Sequence, residues 1–518
     1  MDPSAWSILK TCLALLPLAW LLVGLGALKL PTHKAGLAAL AITALVAWLA
    51  FGMSAHDMAG VSLEGAALAL FPIVWVVVSA VFVYNVAVFT GSMETIKDTL
   101  SRLSPDRRVQ ALVLAFGFGG FLEAVAGFGT AVAIPAGILA AMGFNPLLAA
   151  TSCLIANTIP VAFGVLGIPV ITLAQVTGLP LRELALNTAV QLIPFVVLLP
   201  PVLVFSVTGS VRAIRGVLGM SIAAGAAFAA GQTLAAAFIG PELAAVAGSL
   251  LSLAVIVVWA RLRPVSNPWR FPGEEPQQSA AADTRPIPLS RSLRAWSPYI
   301  LILALILLMK YLPFLDFLNH PPFKLSAQFY FGPGGKAQSF ALATSGGTVL
   351  FIAAIASGFI QGASFGSILK VLLKTIRQLW KTALTIVSVV ALAKLMGYSG
   401  MVSSIASAIA ALSGPVYPLI APALGALGTF LTGSDTSSNV LFGELQKNTA
   451  LALGADPSWL AAANASGATA GKMISPQSIS IATSSAGLKG SESKILGTTI
   501  KYCIVYAVLI GVVVWVFR

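Results

Sequence analysis

The chain has 518 residues, of which 58% are hydrophobic and only 9% charged, and its mean hydropathy is +0.94. Soluble globular proteins carry about 25% charged residues, so this composition excludes a soluble enzyme, a secreted disulfide scaffold and an intrinsically disordered chain. The net charge of +13 comes from basic residues that gather in a few loops, which indicates membrane orientation by the positive-inside rule and not nucleic-acid binding.

Apolar runs long enough to cross a membrane occupy both ends of the chain. In the first half they lie near 6–28, 34–51, 66–90, 109–144, 146–176, 184–207, 211–239 and 242–260. In the second half they lie near 298–315, 338–360, 382–398, 401–432, 436–453, 458–488 and 499–517. At roughly 20 residues per crossing, the sequence predicts an all-α polytopic membrane protein with roughly 12–14 transmembrane segments.

Residues 261–297 separate the two sets of apolar runs. Six arginines lie there among Pro, Gln, Ser and Asp, which is typical of a cytoplasmic linker. We therefore divide the chain into a first transmembrane half, 1–260, this linker, and a second transmembrane half, 298–518.

The two halves contain a weak internal repeat. Shifting the sequence by 309 positions aligns 78–122 with 387–431, with identities at ten of 45 positions and no gap. The loop 92–110 is basic while its counterpart 399–416 has no charge, and 361–381 is basic while 52–65 has no Lys or Arg. The copies are therefore predicted to cross the membrane in opposite directions. Inverted repeats with broken helices or re-entrant hairpins are typical of secondary transporters, which bind substrate near the membrane midplane.

Each half also contains polar, glycine-rich stretches within its apolar runs. They lie at 117–130 and 156–160 in the first half, and at 428–439, 464–467 and 471–477 in the second. Dense glycines weaken a helix, and irregular backbone at membrane depth is tolerated only inside the protein or along a wet cavity. Helix N-termini exposed there attract anions. Close packing of small residues between helices is the alternative explanation.

Two acidic residues in these stretches are candidates for ion coupling. Glu123 lies in the centre of an apolar run, where a charge costs about 2.5–3.5 kcal/mol or more and is usually functional. It suits a group that takes up and releases a proton, although a structural ion pair is the alternative. Asp435 suits the binding of a proton, a cation or the substrate hydroxyl, but a helix N-cap beside Thr436 is an equally good explanation.

Two lysines are candidates for binding an anion. Lys394 interrupts an apolar run at the repeat position of Asn85, and Lys472 lies between Gly471 and Met473. For Lys394, extension of the side chain to the membrane surface is the alternative. The three histidines lie in predicted loops without metal-ligand spacing, and no zinc, phosphate-loop or paired-aspartate motif is present. We therefore expect no metal, no cofactor and no enzymatic activity.

These stretches resemble the lactate permease family of bacterial membrane transporters over nearly the full length. In the first half the matching pieces are Gly120-Phe121-Leu122-Glu123, Gly127-Phe128-Gly129-Thr130, Leu154-Ile155-Ala156-Asn157-Thr158, Pro160-Val161-Ala162-Phe163-Gly164 and Gly167-Ile168-Pro169. In the second half they are Thr432-Gly433-Ser434-Asp435-Thr436-Ser437-Ser438-Asn439, Leu441-Phe442-Gly443 and Gly471-Lys472-Met473-Ile474-Ser475-Pro476-Gln477-Ser478-Ile479.

The resemblance implies a multi-pass protein of the bacterial inner membrane that carries L-lactate, D-lactate or glycolate in symport with protons. Glu123 and Asp435 are then the predicted proton-coupling residues. The predicted substrate-binding residues are Gly127, Gly129, Thr130, Asn157, Thr158, Lys394, Gly433, Ser434, Thr436, Ser437, Asn439, Asn464, Lys472 and Gln477. A sodium-coupled carrier of carboxylates or dicarboxylates is the nearest alternative, because Ser, Asp, Thr and Asn oxygens also coordinate Na⁺. A channel is a further alternative, and it would conduct without accumulating solute.

Overall fold

The structure is a computed structural model that describes residues 3–101, 103–127, 129–263, 265, 268–271, 288–488 and 490–518. Its described secondary structure is helical apart from one two-stranded hairpin. Within the described ranges, 12 helical stretches are long and apolar enough to cross a membrane, and three shorter apolar helices lie among them. The all-α polytopic membrane fold that the composition predicts is confirmed.

The first half contains fourteen α-helices in its described residues. They are α1 (Pro3–Leu21), α2 (Thr32–Leu49), α3 (Ala55–Leu68), α4 (Trp75–Phe89), α5 (Ser92–Ser101), α6 (Arg107–Ala111), α7 (Gly119–Val125), α8 (Thr130–Ala141), α9 (Pro146–Ala156), α10 (Gly164–Thr177), α11 (Leu181–Thr208), α12 (Val211–Arg215), α13 (Leu218–Phe238) and α14 (Pro241–Leu262). Wider π-helical turns follow α1, α3 and α6 at Leu22–Ala27, Ala69–Val74 and Leu112–Phe118, and a 3₁₀ turn at Pro160–Phe163 precedes α10.

The second half, as far as the structure describes it, contains nine α-helices. They are α15 (Leu289–Tyr311), α16 (Gly346–Ile360), α17 (Phe365–Tyr398), α18 (Met401–Ser413), α19 (Tyr417–Thr432), α20 (Asp435–Leu453), α21 (Pro457–Lys472), α22 (Pro476–Ser485) and α23 (Glu492–Val516). Short 3₁₀ turns lie at Pro313–Asn319 and Gly414–Val416. Strands β1 (Lys324–Ala327) and β2 (Gln338–Ala341) pair antiparallel in the connection between α15 and α16.

The predicted linker falls between α14 and α15. Helix α14 ends at Leu262 and α15 begins at Leu289, nine residues before the apolar run that the sequence places at 298. The central part of the linker, 272–287, lies outside the described residues.

The glycine-rich stretches break the helices in both halves. Gly127 and Gly129 have φ of 54° and 84° between α7 and α8, and Gly433 has φ of 73° between α19 and α20. Left-handed backbone of this kind is accessible to glycine at little cost. A second break separates α9 from α10, and another separates α21 from α22, so both halves repeat one order: helix, break, helix, loop, helix, break, helix. The broken helices are therefore present, while their opposite orientation across the membrane stays a prediction.

The broken helices of the two halves pack on each other. Helix α20 packs against α10, α17 and α21, and α22 packs against α8 and α9. Helices α2 and α3 pack along α17. The breaks consequently face one another across a space that α2 and α17 close from a third side.

Candidate functional site

A cavity of about 90 Å³ lies where the helix breaks meet. Its walls come from the breaks of both halves and from α2, the turn at Ala69–Val74, α4 and α17. One water molecule needs about 10–15 Å³ of such space. The cavity therefore accommodates several water molecules or one small organic ion.

Glu123 is the charged group that the first half contributes. It lies on α7, two residues before the helix ends, and only 4% of its surface is exposed. Its Oε1 atom lies beside Gly164, where an added Cβ atom would be 3.0 Å away. Its Oε2 atom has no hydrogen-bond partner among the described residues, and the side-chain amide of Asn157 lies within hydrogen-bonding reach of the carboxyl group. Buried polar atoms without partners are rare in folded proteins and indicate a place for water, a proton or a ligand.

Asp435 is the charged group at the break between α19 and α20. Thr432 donates a hydrogen bond to the carbonyl of Gly428 at 2.8 Å, and Ser434 caps α20 by accepting from the backbone N–H of Ser437 at 3.3 Å. Asp435 is therefore not the cap, since Ser434 performs that task. The Asp435 side chain is 3% exposed, and neither carboxylate oxygen has a partner within the described ranges.

Lys472 lies at the end of α21, within electrostatic reach of both carboxyl groups. Its Nζ atom donates to the carbonyl of Gly433 at 2.9 Å, and its charge interacts with both Glu123 and Asp435. An ammonium group has three hydrogens, so two remain for other acceptors. The N-terminus of α20 contributes further positive potential beside them. This side of the cavity is suited to an anion.

Nine of the predicted site residues line this one cavity. They are Glu123, Gly129, Gly433, Ser434, Asp435, Thr436, Ser437, Lys472 and Gln477. They come from three of the polar stretches, 117–130, 428–439 and 471–477, and only the tertiary packing of α20, α22 and α8 brings them together. Gln477 is exposed, so the cavity has an open side there.

Other predicted residues lie in the backbone and helix contacts around the cavity. Thr130 donates to the carbonyl of Gly127 at 2.7 Å, and Thr158 donates to the carbonyl of Leu154 at 3.3 Å. Gly127 is required where it stands, because a Cβ atom there would overlap the side chain of Val165. These residues shape the break between α7 and α8 and the end of α9.

Asn439 and Asn464 form a buried amide pair behind the cavity wall. The Nδ2 atom of Asn464 donates to Oδ1 of Asn439 at 2.9 Å, and Asn439 donates to the carbonyl of Pro169 at 3.1 Å. Gln446 contacts Oδ1 of Asn464 at 3.3 Å and accepts from the hydroxyl of Tyr417 at 2.6 Å. This network connects α20 to α10, α19 and α21.

Lys394 lies in a different place from the other predicted residues. Its Nζ atom forms an ion pair with Oε1 of Glu64 at 3.2 Å, and that oxygen also accepts from Tyr398 and from Gln338, each at 3.1 Å. Lys394 is not among the residues that line the cavity. Glu64 was not among the predicted residues, although a lone acidic residue inside an apolar helix is a signal that could have identified it.

Three threonines at the cavity were also missed. Thr32 on α2 and Thr382 and Thr385 on α17 line the cavity together with Ile73, Val77 and Ile386. No local sequence signal marks them, because Thr32 and Thr385 are 353 residues apart and their helices meet only in the folded chain. Within the described residues, no group of three His, Cys, Asp or Glu side chains is arranged to hold a metal.

The fold and the cavity define a multi-pass membrane protein whose helices break around a small charged site. The chain belongs to the L-lactate permease family, whose family model matches residues 10–518. It is 42% identical to the L-lactate permease of Streptococcus iniae, over 88% of this chain and 93% of that protein.

Other relatives match over almost the whole chain. The L-lactate permease of Bacillus subtilis is 36% identical over 98% of this chain and 95% of its own length. The glycolate permease GlcA of Escherichia coli is 34% identical over the same shares of the two chains. The solved structure of the YdaH transporter of Alcanivorax borkumensis aligns with 85% of this chain and 84% of its own, at 15% identity and a TM-score of 0.46, which is too low to carry an argument.

Proposed function

We propose that the protein is a secondary transporter of the bacterial plasma membrane that takes up a small 2-hydroxymonocarboxylate, L-lactate, D-lactate or glycolate, together with protons. The substrate class is supported by relatives named for L-lactate and glycolate that align over nearly the whole chain. A 90 Å³ cavity is also of the size that a two- or three-carbon acid needs.

Lys472 and the N-terminus of α20 bind the substrate carboxylate. The lysine retains two ammonium hydrogens beyond the one donated to Gly433. The hydroxyls of Thr436 and Ser437 line the same side of the cavity. A charge-assisted hydrogen bond from a buried ammonium is about twice as strong as a neutral one, so Lys472 provides the largest attraction for the anion.

The observation that carries proton coupling is the excess of buried carboxyl groups. Glu123 and Asp435 are both buried, and Lys472 is the cation that interacts with both. If both carboxyl groups were ionised, an incoming carboxylate would bring the local charge from −1 to −2. Uncompensated charge in a membrane protein interior is costly. A proton on Glu123 or Asp435 removes one negative charge, so substrate binding and proton binding favour each other.

Uptake of labelled L-lactate into proteoliposomes tests this function. An inward proton gradient, without sodium, is expected to drive transient accumulation above equilibrium, and an uncoupler is expected to abolish it. Sodium-dependent accumulation at fixed pH would show that transport is coupled to sodium and not to protons. Equilibration without accumulation under either gradient would indicate a channel.

A further inference from the structure

The threonines that α2 and α17 contribute to the cavity have their own pattern of hydrogen bonds. The Oγ1 atoms of Thr32 and Thr385 lie 3.2 Å apart, and Thr385 also donates to the carbonyl of Lys381 at 3.0 Å. A threonine hydroxyl has one hydrogen and two lone pairs. Because the hydrogen of Thr385 is used by Lys381, Thr32 must be the donor in the contact between the two threonines.

This direction leaves Thr32 as an acceptor. Its hydrogen points to Thr385, and no described residue donates to its Oγ1 atom, so its lone pairs are available on the cavity side. A ligand that touches Thr32 can therefore gain a hydrogen bond only by donating one. A 2-hydroxyl group can donate, whereas a 2-oxo group and an unsubstituted carbon cannot.

Apart from Thr382, which lines the cavity three residues before Thr385 on α17, the other hydroxyls of the cavity bond within the protein or lie at the helix end beside Lys472. Thr432 donates to Gly428, and Ser478 accepts from Ser475 at 2.9 Å. Ser434 caps α20, and Thr436 and Ser437 belong to the same helix end beside Lys472. Thr32 and Lys472 line the same cavity, so a substrate whose carboxylate lies at Lys472 can present its 2-substituent to Thr32.

We propose that Thr32, oriented by Thr385, accepts the hydrogen of the substrate 2-hydroxyl and thereby selects 2-hydroxy acids over 2-oxo and unsubstituted acids. Ile73, Val77 and Ile386 surround the remaining carbon atoms. The inference rests on the proposed function, because it requires the carboxylate to bind at Lys472.

Competition in proteoliposomes tests the selectivity without any substitution. Labelled L-lactate is exchanged against internal unlabelled L-lactate at equal pH on both sides, in the presence of external L-lactate, glycolate, pyruvate or propionate. One net hydrogen bond corresponds to about a tenfold change in affinity. Pyruvate and propionate are therefore expected to require about tenfold higher concentrations than L-lactate for half inhibition. Pyruvate that inhibits as well as L-lactate would overturn the inference.

Substitutions at two positions then distinguish the proposed hydrogen-bond acceptor, Thr32, from the residue that orients it, Thr385. Thr32→Val is expected to reduce the preference for L-lactate over propionate to about twofold or less, because the hydrogen-bond acceptor is lost. Thr32→Ser keeps the hydroxyl and is expected to keep the preference. Thr385→Val frees the hydrogen of Thr32 to turn toward the cavity. Inhibition of exchange by pyruvate is therefore expected to strengthen several-fold relative to inhibition by L-lactate, whereas inhibition by propionate is not.

The outcomes distinguish this inference from the proposed function. Absence of L-lactate exchange in the unsubstituted protein would contradict the proposed function itself. Suppose instead that the unsubstituted protein exchanges L-lactate normally and that Thr32→Val loses apparent affinity equally for L-lactate, pyruvate and propionate. The proposed function would then stand, and the inferred role of Thr32 would be contradicted. If Thr32→Val does not insert stably, the competition series and the response of Thr385→Val to pyruvate decide the question.

Discussion

The cavity and the Glu64–Lys394 ion pair both hold buried charges, and they differ in how those charges are paired. In the Glu64–Lys394 cluster, which comprises Glu64, Lys394, Tyr398 and Gln338, one carboxylate oxygen receives three hydrogen-bonding or ionic contacts. At the cavity, Asp435 has no described partner for either oxygen. A buried charge with partners can remain in place through a reaction cycle, whereas an unpaired one is stabilised when a proton or ligand arrives.

The two regions lie at a fixed separation along the same helices. Lys394 follows Thr385 by nine residues on α17, and Glu444 follows Asp435 by nine residues on α20, which is about 13.5 Å in each case at 1.5 Å per residue. Glu444 is within electrostatic reach of Lys394 and lies against Gly397. The paired charges therefore connect α3, α17 and α20 away from the cavity. We therefore expect the Glu64–Lys394 cluster to stabilise the fold and the cavity to bind substrate.

The largest effect is expected for Glu123→Gln. The amide has nearly the same shape but cannot take up the coupled proton, so accumulation of L-lactate under an inward proton gradient should be lost completely. Exchange of internal for external L-lactate needs no net proton movement and should continue. Uphill uptake by this variant at the unsubstituted rate would remove Glu123 from the coupling mechanism.

Lys472→Met is expected to lower the apparent affinity for L-lactate on the order of 100-fold, since loss of a charged partner at a buried contact costs about 2–5 kcal/mol. The measurement is the concentration of L-lactate that half-saturates exchange. Lys494→Met, at an exposed lysine of α23, is the matched control and should leave that concentration unchanged. An unchanged affinity in Lys472→Met would mean that another group binds the substrate carboxylate.

The Glu64–Lys394 cluster should respond in stability instead of substrate affinity. Glu64→Gln removes the ion-pair partner of Lys394, and breaking a buried pair in this way costs about 3–5 kcal/mol. The thermal unfolding temperature of the purified protein should fall. The double variant Glu64→Gln with Lys394→Met removes both charges and should recover most of the loss with normal L-lactate exchange. A stable double variant that has lost exchange would instead support the substrate-binding role that the sequence predicts for Lys394.

This contrast also shows what could be read from the sequence. Composition was sufficient for the membrane fold, and the glycine-rich stretches correctly predicted broken helices, because positive φ at Gly129 or Gly433 is a local property. The polar stretches also contain Glu123, Asp435 and Lys472. An isolated lysine in an apolar run indicates burial, but the sequence pattern around it does not identify its ion-pair partner. Lys394 was therefore selected without Glu64, and the threonines of α2 and α17 were missed, since their meeting depends on tertiary packing.

The smallest effect is expected at Gly433, where backbone strain and contact with the site can be separated. Gly433 and Gly454 flank α20 with similar φ values of 73° and 64°, but an added Cβ atom meets Gln477 only at Gly433, and Gly454 faces open space. Gly454→Ala should therefore show only the backbone cost, about 1 kcal/mol, as a modest fall in unfolding temperature with normal exchange. Gly433→Ala should show the same fall and, in addition, a several-fold loss of L-lactate affinity, because the carbonyl that holds Lys472 must move. Equal behaviour of the two variants would mean that the position of Lys472 does not depend on this break, and binding of the carboxylate would then have to be assigned to the N-terminus of α20 alone.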